Sequence, residues 1–389
     1  MDTINIAVAS DDNYAQHLSV MLLSLLENSD RKYHKHIYFL DGGISEQNKD
    51  RLSSICKQFS TTFDWLTVNA DTFENMTVSR YINKVAYFRI ALPTILKDIS
   101  KIVYLDSDIV VRNDIKELWD TDLSQYHVAA VDNSNLNRQF FLGIPEKSSY
   151  FNSGVLLMNL DLWRKDDICK QLIDFIQTTD QELLKYHDQD ALNAILYEKC
   201  LLLDPKWNYR ESLKVSISKK DLHYTERDIE NAIKNPAIIH YTESSKPWHY
   251  LNNHPYKTDY YHYLSKTEWS STPPEKEYLE SLFTTRKIVV FGTGKSGQEL
   301  YNRIQELGYD ISYFIDNNKI LWDQSLLNDK IVKSPEVLLQ EKKENIFIIV
   351  ASMFYEEIME QLKSMGFIEN IHIIVKGYEN KLGIEGGKR

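Results

Sequence analysis

Two aspartates stand two residues apart in "KIVYLDSDIVV", residues 101–111, directly behind the apolar run from Ile102 to Leu105. Burying one unpaired carboxylate is costly, and a second like charge beside it adds to the cost. Asp106 and Asp108 therefore need a cation, a set of hydrogen-bond donors, or a turn that lifts them into water. As a turn, the pair would cap nearby backbone amides. As a metal site, their hard oxygens suit Mg²⁺ or Mn²⁺, and one imidazole added to the set favours Mn²⁺. A cation held this way can bridge two phosphates and neutralise a departing diphosphate. His240, at the end of the apolar run "NPAIIH", reads by itself as a core histidine.

Three further constellations stand out. "SDDN", residues 10–13, follows an apolar stretch and has the residue types of a helix cap. Arg89, by itself, is a solvated or ion-paired surface arginine. Far along the chain, Gly292-Thr293-Gly294-Lys295-Ser296-Gly297 follows a strand pattern and opens a helix pattern, with Asp316 ending the next strand. That is the context of a dinucleotide fingerprint: glycines for the turn, a helix N-terminus for pyrophosphate, an acid for the ribose.

The elements that must position these groups alternate. Residues 4–10 read as a buried strand, and Tyr14, Leu18, Met21, Leu22, Leu25 and Leu26 recur at helical spacing behind it. "HIYFLDGG", "FDWLTV", the aspartate stretch and "FNSGVLLMNL" supply further strands, and "KVAYFRIALPTIL" is helical. Alternation of this kind predicts an α/β fold with a mostly parallel sheet flanked by helices, and ligands collect at the carboxyl ends of such strands. Asp11 and Asp106 both fall at such ends. "SKTEWSSTPPEKEYLESLF" reads as a polar linker with a short helix, and a fresh strand–turn–helix pattern begins at "RKIVVFGTGKSG". The expected domains are 1–268, a linker over 269–287, and a smaller Rossmann-like α/β domain over 288–389.

Composition narrows the function classes. The chain has 389 residues, 43% hydrophobic and 26% charged, as expected of a soluble globular protein of about two domains. A net charge of −11 argues against a nucleic-acid partner. Cys56, Cys169 and Cys200 show no metal or redox spacing and read as thiols of a reducing compartment. "MDTINIAVAS" lacks the features of a signal peptide, and no apolar run reaches the ~18 residues of a membrane span, so a cytoplasmic location is expected.

Seven separated motifs, in order, resemble the retaining glycosyltransferases of family 8, which have the GT-A fold. They are "ASDDNYA", "YFRIAL", "YLDSDIVV", "LWDTDL", "YFNSGVLLMNL", "HDQDALN" and "HYTESSKPWH", and they span about the first 260 residues. The resemblance implies a Mn²⁺ site (Mg²⁺ as the alternative) made by Asp106, Asp108 and His240, holding the diphosphate of a UDP-sugar. It places Ala9, Asp11 and Asn13 at uracil and ribose, with Tyr14 stacking on the base, and gives Arg89 and Lys246 contacts to the donor. Asp132, Asn152, Asp188 and Gln189 match positions around the transferred sugar. Gln189 lies where a nucleophile is expected, and a carboxamide is a poor one, so the resemblance favours front-face attack over a covalent intermediate.

The implied reaction is hexose transfer from a UDP-sugar, galactose first and glucose second, to a glycan or glycoprotein acceptor. One departure concerns Glu243, where relatives usually carry glycine, a residue that commonly serves close backbone approach or positive φ. Two rivals stand beside this reading. A silent UDP-sugar binder would have no reason to keep Asp106, Asp108 and His240 together. An NAD-dependent oxidoreductase run by the C-terminal domain would need a catalytic set that "GTGKSG" lacks. That domain is expected to keep the fold of a nucleotide-binding module without a bound cofactor, and to serve acceptor recognition or oligomerisation.

Overall fold

The computed structural model describes residues 3–68, 84–133, 136–216, 223–269, 273 and 275–377. Part of the expected linker (270–272 and Pro274) and the terminal "GGKR" lie outside the described residues. The chain divides into two compact units, Met1–Thr242 with Tyr263–Trp269, and Glu243–His262 with Ser270–Arg389.

The first unit is built on a seven-stranded sheet. Its strands are β1 (Ile4–Ser10), β2 (Lys35–Asp41), β3 (Thr62–Thr67), β4 (Lys101–Leu105), β6 (Val128–Ala130), β7 (Val155–Asn159) and β8 (Cys200–Leu202), in the order β3-β2-β1-β4-β7-β6-β8. All neighbours run parallel except β7, which is antiparallel to both β4 and β6. Alternate side chains of β1 face opposite layers. Ile4, Ile6 and Val8 pack under Leu18, Met21, Leu22 and Leu25 of the helix Ala15–Asn28, whereas Ala7 and Ala9 face Tyr87, Phe88 and Trp163. The small residues on that second face leave room for the aromatic layer. A separate two-stranded ribbon pairs β5 (Ile109–Val111) antiparallel with β9 (Ile238–His240). The apolar run around the aspartates is thus two strands in two different sheets, with Asp106-Ser107-Asp108 as the turn between them.

The second unit carries five parallel strands, β10 (Lys287–Phe291), β11 (Tyr313–Ile315), β12 (Val332–Lys333), β13 (Ile346–Val350) and β14 (Ile373–Val375), in the order β12-β11-β10-β13-β14. The short helix expected in the linker is the helix Lys276–Thr285. It belongs to this unit's core, where Leu279, Leu282 and Phe283 pack with Tyr250 and Leu251. The "GTGKSG" turn uses its glycines sterically. Gly292 has φ +114, and a Cβ on Gly297 would stand 1.9 Å from the carbonyl oxygen of Gly292. Asp316 accepts hydrogen bonds from the Thr293 amide (3.0 Å) and hydroxyl (2.6 Å), so the expected ribose acid fastens the glycine turn.

Candidate metal centre

β4 delivers Asp106 to its carboxyl end, where the Asp106 amide donates to the Gly154 carbonyl at 2.8 Å. The ribbon brings the rest. Ile109 lies opposite His240, and the Tyr241 amide donates to the Asp108 carbonyl at 3.0 Å, which sets Asp108 beside the imidazole. His240 Nε2 is 3.2 Å from Asp108 Oδ1 and 3.7 Å from Asp106 Oδ2. One ligand atom from each of the three residues falls within a 4.8 Å span. Two carboxylates and an imidazole at this spacing fit a divalent cation of the Mg²⁺ or Mn²⁺ type. Gly154 keeps the space open, because a Cβ there would sit 2.1 Å from His240 Cε1 and 2.6 Å from Asp106 Oδ2.

Arg89 is buried against this cluster. Its Nη2 donates to Asp106 Oδ1 at 2.9 Å, its Nη1 to the Ser153 carbonyl, and its Nε lies 3.2 Å from Asp188 Oδ2. The guanidinium also stands over the Tyr104 ring, 4.3 Å from its centre. Burial opposes its charge, but Asp106 and Asp188 outweigh burial and hold its pKa above the ordinary value. Arg89 is therefore the link between Asp106 and Asp188. Burial pushes the Asp188 carboxyl up to about 6, against the pull of Arg89.

Asp132, Asn152 and Gln189, the other residues expected around the sugar, are buried and connected. Asn152 Nδ2 donates to Gln189 Oε1 at 2.9 Å, and the same oxygen accepts from the Ser153 amide at 3.1 Å. Asp132 Oδ1 accepts from the Tyr150 amide at 3.2 Å, and Gln189 Nε2 donates to the Tyr150 hydroxyl at 3.0 Å. Ala9, Asp11, Asn13 and Tyr14 lie at the carboxyl end of β1, the strand beside β4. There Asp11 Oδ1 accepts from the Tyr14 amide at 3.1 Å, which is the cap its residue type suggested. Lys246 belongs to the second unit, where its amide donates to His249 Nδ1 at 3.3 Å. Burial, then Lys246 and Lys257, press the His249 pKa down to about 3, which keeps that ring a neutral acceptor. Glu243 is exposed and is not among the residues of positive φ, so the loop carries a side chain there without strain.

Several residues that the sequence reading passed over hold this set together. Asn208 Oδ1 lies 3.0 Å from His240 Nδ1, and Asn193 grips both backbone groups of Phe151. Tyr150 donates to Asp190, which Arg138 pairs at 2.9 Å. Asn193 and Asp190 stood in "HDQDALN" and Gly154 in "YFNSGVLLMNL". Asn208, between Trp207 and Tyr209 in "KWNYR", carried one signal: a lone amide in an aromatic stretch.

The family model for glycosyl transferase family 8 matches residues 5–252. The chain belongs to that family. It is accordingly a glycosyltransferase, and its first unit has the GT-A fold, whose enzymes use a nucleotide-sugar donor and a divalent metal. The chain is 36% identical to general stress protein A of Bacillus subtilis over 69% of its length and 96% of that protein. It is 27% identical to a lipopolysaccharide 1,3-galactosyltransferase of Salmonella typhimurium, over 69% and 80% of the two chains. Among solved structures, the galactosyltransferase LgtC with donor and acceptor sugar analogues matches 69% of the chain and 97% of its own, at 26% identity and TM-score 0.63. GlyE of Streptococcus pneumoniae shares the fold over 98% of both chains, at 17% identity and TM-score 0.51. Residues 284–374 match a separate family model, "C2185-like, N-terminal".

Proposed function

We propose that the protein is a retaining, Mn²⁺-dependent hexosyltransferase that moves a hexose from a UDP-sugar to a hydroxyl of a glycan or glycoprotein. The observation that carries this reading is the convergence of Asp106, Asp108 and His240 beside Arg89 at the end of β4. Relatives named as galactosyl- and glucosyltransferases support hexose as the cargo, with galactose first and glucose second. A bound cation would supply charge neutralisation for the departing diphosphate. Arg89 orients the Asp106 carboxylate and keeps Asp188 in place as an acceptor for sugar hydroxyls. Gln189 is already committed. Its carbonyl oxygen receives two donors and its amide nitrogen gives one, which suits holding a sugar rather than attacking it. This favours front-face attack, with a diphosphate oxygen taking the acceptor proton. The part given to Lys246 as a diphosphate clamp rests on the family resemblance alone.

No helix among the described residues is long and apolar enough to cross a membrane. We propose a cytoplasmic enzyme acting on a soluble glycan or glycoprotein, with the second unit serving acceptor recognition or self-association. UDP release from a panel of UDP-hexoses, with Mn²⁺ and then with EDTA, tests the reading. Metal-dependent release from one sugar is expected, abolished by Asp106→Ala or Asp108→Ala with the fold retained. Full activity after either substitution would refute the metal assignment.

A further inference from the structure

The hydrogen bonds around His240 have a direction that the backbone imposes. A backbone N–H can only donate. The Gly154 amide, 3.0 Å from the Asn152 side chain, therefore identifies that atom as Oδ1. The Asn208 atom 2.7 Å from the same oxygen must then be its amide nitrogen, which turns the Asn208 carbonyl oxygen to His240 Nδ1 at 3.0 Å. That oxygen can only accept, so Nδ1 carries the proton and Nε2 presents its lone pair to the space between Asp106 and Asp108. On the other side, the Ser153 amide fixes Gln189 Oε1, which also accepts from Asn152 Nδ2. Gln189 Nε2 then donates to Tyr150, and Tyr150 to Asp190 Oδ1 at 2.6 Å. The donors run one way from the imidazole to a carboxylate held by Arg138.

The alternative tautomer explains why this matters. With its proton on Nε2, His240 would donate to Asp108 Oδ1, 3.2 Å away, and close the ligand set against a cation. Metal-binding histidines are commonly held by a partner on their other ring nitrogen, and losing that partner costs roughly 10–100-fold in affinity.

We propose that Asn208 is a positioning residue of the metal centre: it holds His240 in the Nδ1–H tautomer and joins it, through Asn152, to the sugar-side amide of Gln189. This rests on the cation site proposed above. The test compares wild type with Asn208→Leu and Asn208→Asp, with folding checked by thermal denaturation. Ring ¹⁵N spectra of the metal-free protein at pH 8 report the His240 tautomer, and titration with Mn²⁺ followed by electron paramagnetic resonance reports affinity. N208L should move the proton towards Nε2 and weaken Mn²⁺ binding about tenfold or more. N208D keeps an acceptor for Nδ1–H but cannot donate to Asn152. It should hold Mn²⁺ within about threefold of wild type while raising KM for the donor sugar. Unchanged tautomer and Mn²⁺ affinity in N208L would overturn the role of Asn208 and leave the cation site standing. So would N208D losing Mn²⁺ as completely as N208L. Wild type that binds no Mn²⁺, like Asp108→Ala, would sink the cation site itself and this role with it.

Discussion

At the scale of single residues, the centre depends on one missing side chain and one uneasy carboxylate. A Cβ on Gly154 would overlap His240 Cε1, and Asn208 leaves that ring little freedom to retreat. Gly154→Ala should therefore weaken Mn²⁺ binding at least about tenfold, through the displaced ligand, at a stability cost of about 1–3 kcal/mol. Titration with Mn²⁺ beside a thermal melt separates the two effects, and affinity within twofold of wild type would refute the steric account. Asp188 gives a prediction with a sign. Its folded pKa of about 6 lies above the ordinary 3.8, chiefly through burial, so the folded chain holds a proton that the unfolded chain has released. The stability this group contributes is full below about pH 4 and lost as pH rises through 6. Relative to Asp188→Asn, metal-free wild type should gain up to roughly 3 kcal/mol between pH 7.5 and 4. Chemical denaturation of both proteins across that range measures it, and a flat difference would mean that Asp188 titrates normally.

At the scale of elements, the helix His187–Leu196 presents Asp188 and Gln189, and its seat depends on Asn193. The buried Asn193 amide accepts from the Phe151 N–H at 2.7 Å and donates to the Phe151 and Gln189 carbonyls at 2.8 Å each. Asn193→Leu would leave an N–H and a carbonyl of residue 151 unsatisfied, one residue from Asn152. We expect a loss of about 2–4 kcal/mol in urea unfolding together with a fall in donor hydrolysis. A loss under about 1 kcal/mol would show that the clamp is dispensable. These elements also mark what local pattern could reveal. The buried strand before Asp106, the helix from Ala15 and the cap at Asp11 follow from short-range periodicity and residue type, and the structure has all three. The β5–β9 ribbon does not, because "IVV" and "IIH" are three-residue strands more than a hundred residues apart. Nothing local distinguishes His240 from a core histidine. Only the family motif placed it with the aspartates, and no motif pointed to Asn208, whose turn reads as an Asp204-capped, proline-led loop.

At the scale of the whole molecule, the chain changes units sooner than composition suggests. The polar linker drew the expected boundary near residue 268, yet Glu243–His262 belongs with the C-terminal sheet and Tyr263–Trp269 with the first unit. The cause is specific packing that a composition shift cannot reveal. Tyr250 and Leu251 complete the core around Leu279, Leu282 and Phe283, the Tyr250 amide donates to Glu275 Oε1 at 2.8 Å, and Arg303 donates to the Tyr250 carbonyl at 3.3 Å. Tyr263 turns the other way, meeting Asn28 at 2.6 Å, and Lys266 pairs with Glu27 at 2.6 Å. Hydrogen exchange can read this division directly. In the full chain, amides of residues 249–252 should exchange at the rate of the second unit's core, because their protection depends on opening that core. Truncation after residue 269 should strip that protection while amides of β1 and β4 stay protected, since their neighbours are all retained. If 249–252 stay protected in the truncated chain, the segment folds with the first unit and the boundary near 268 was correct.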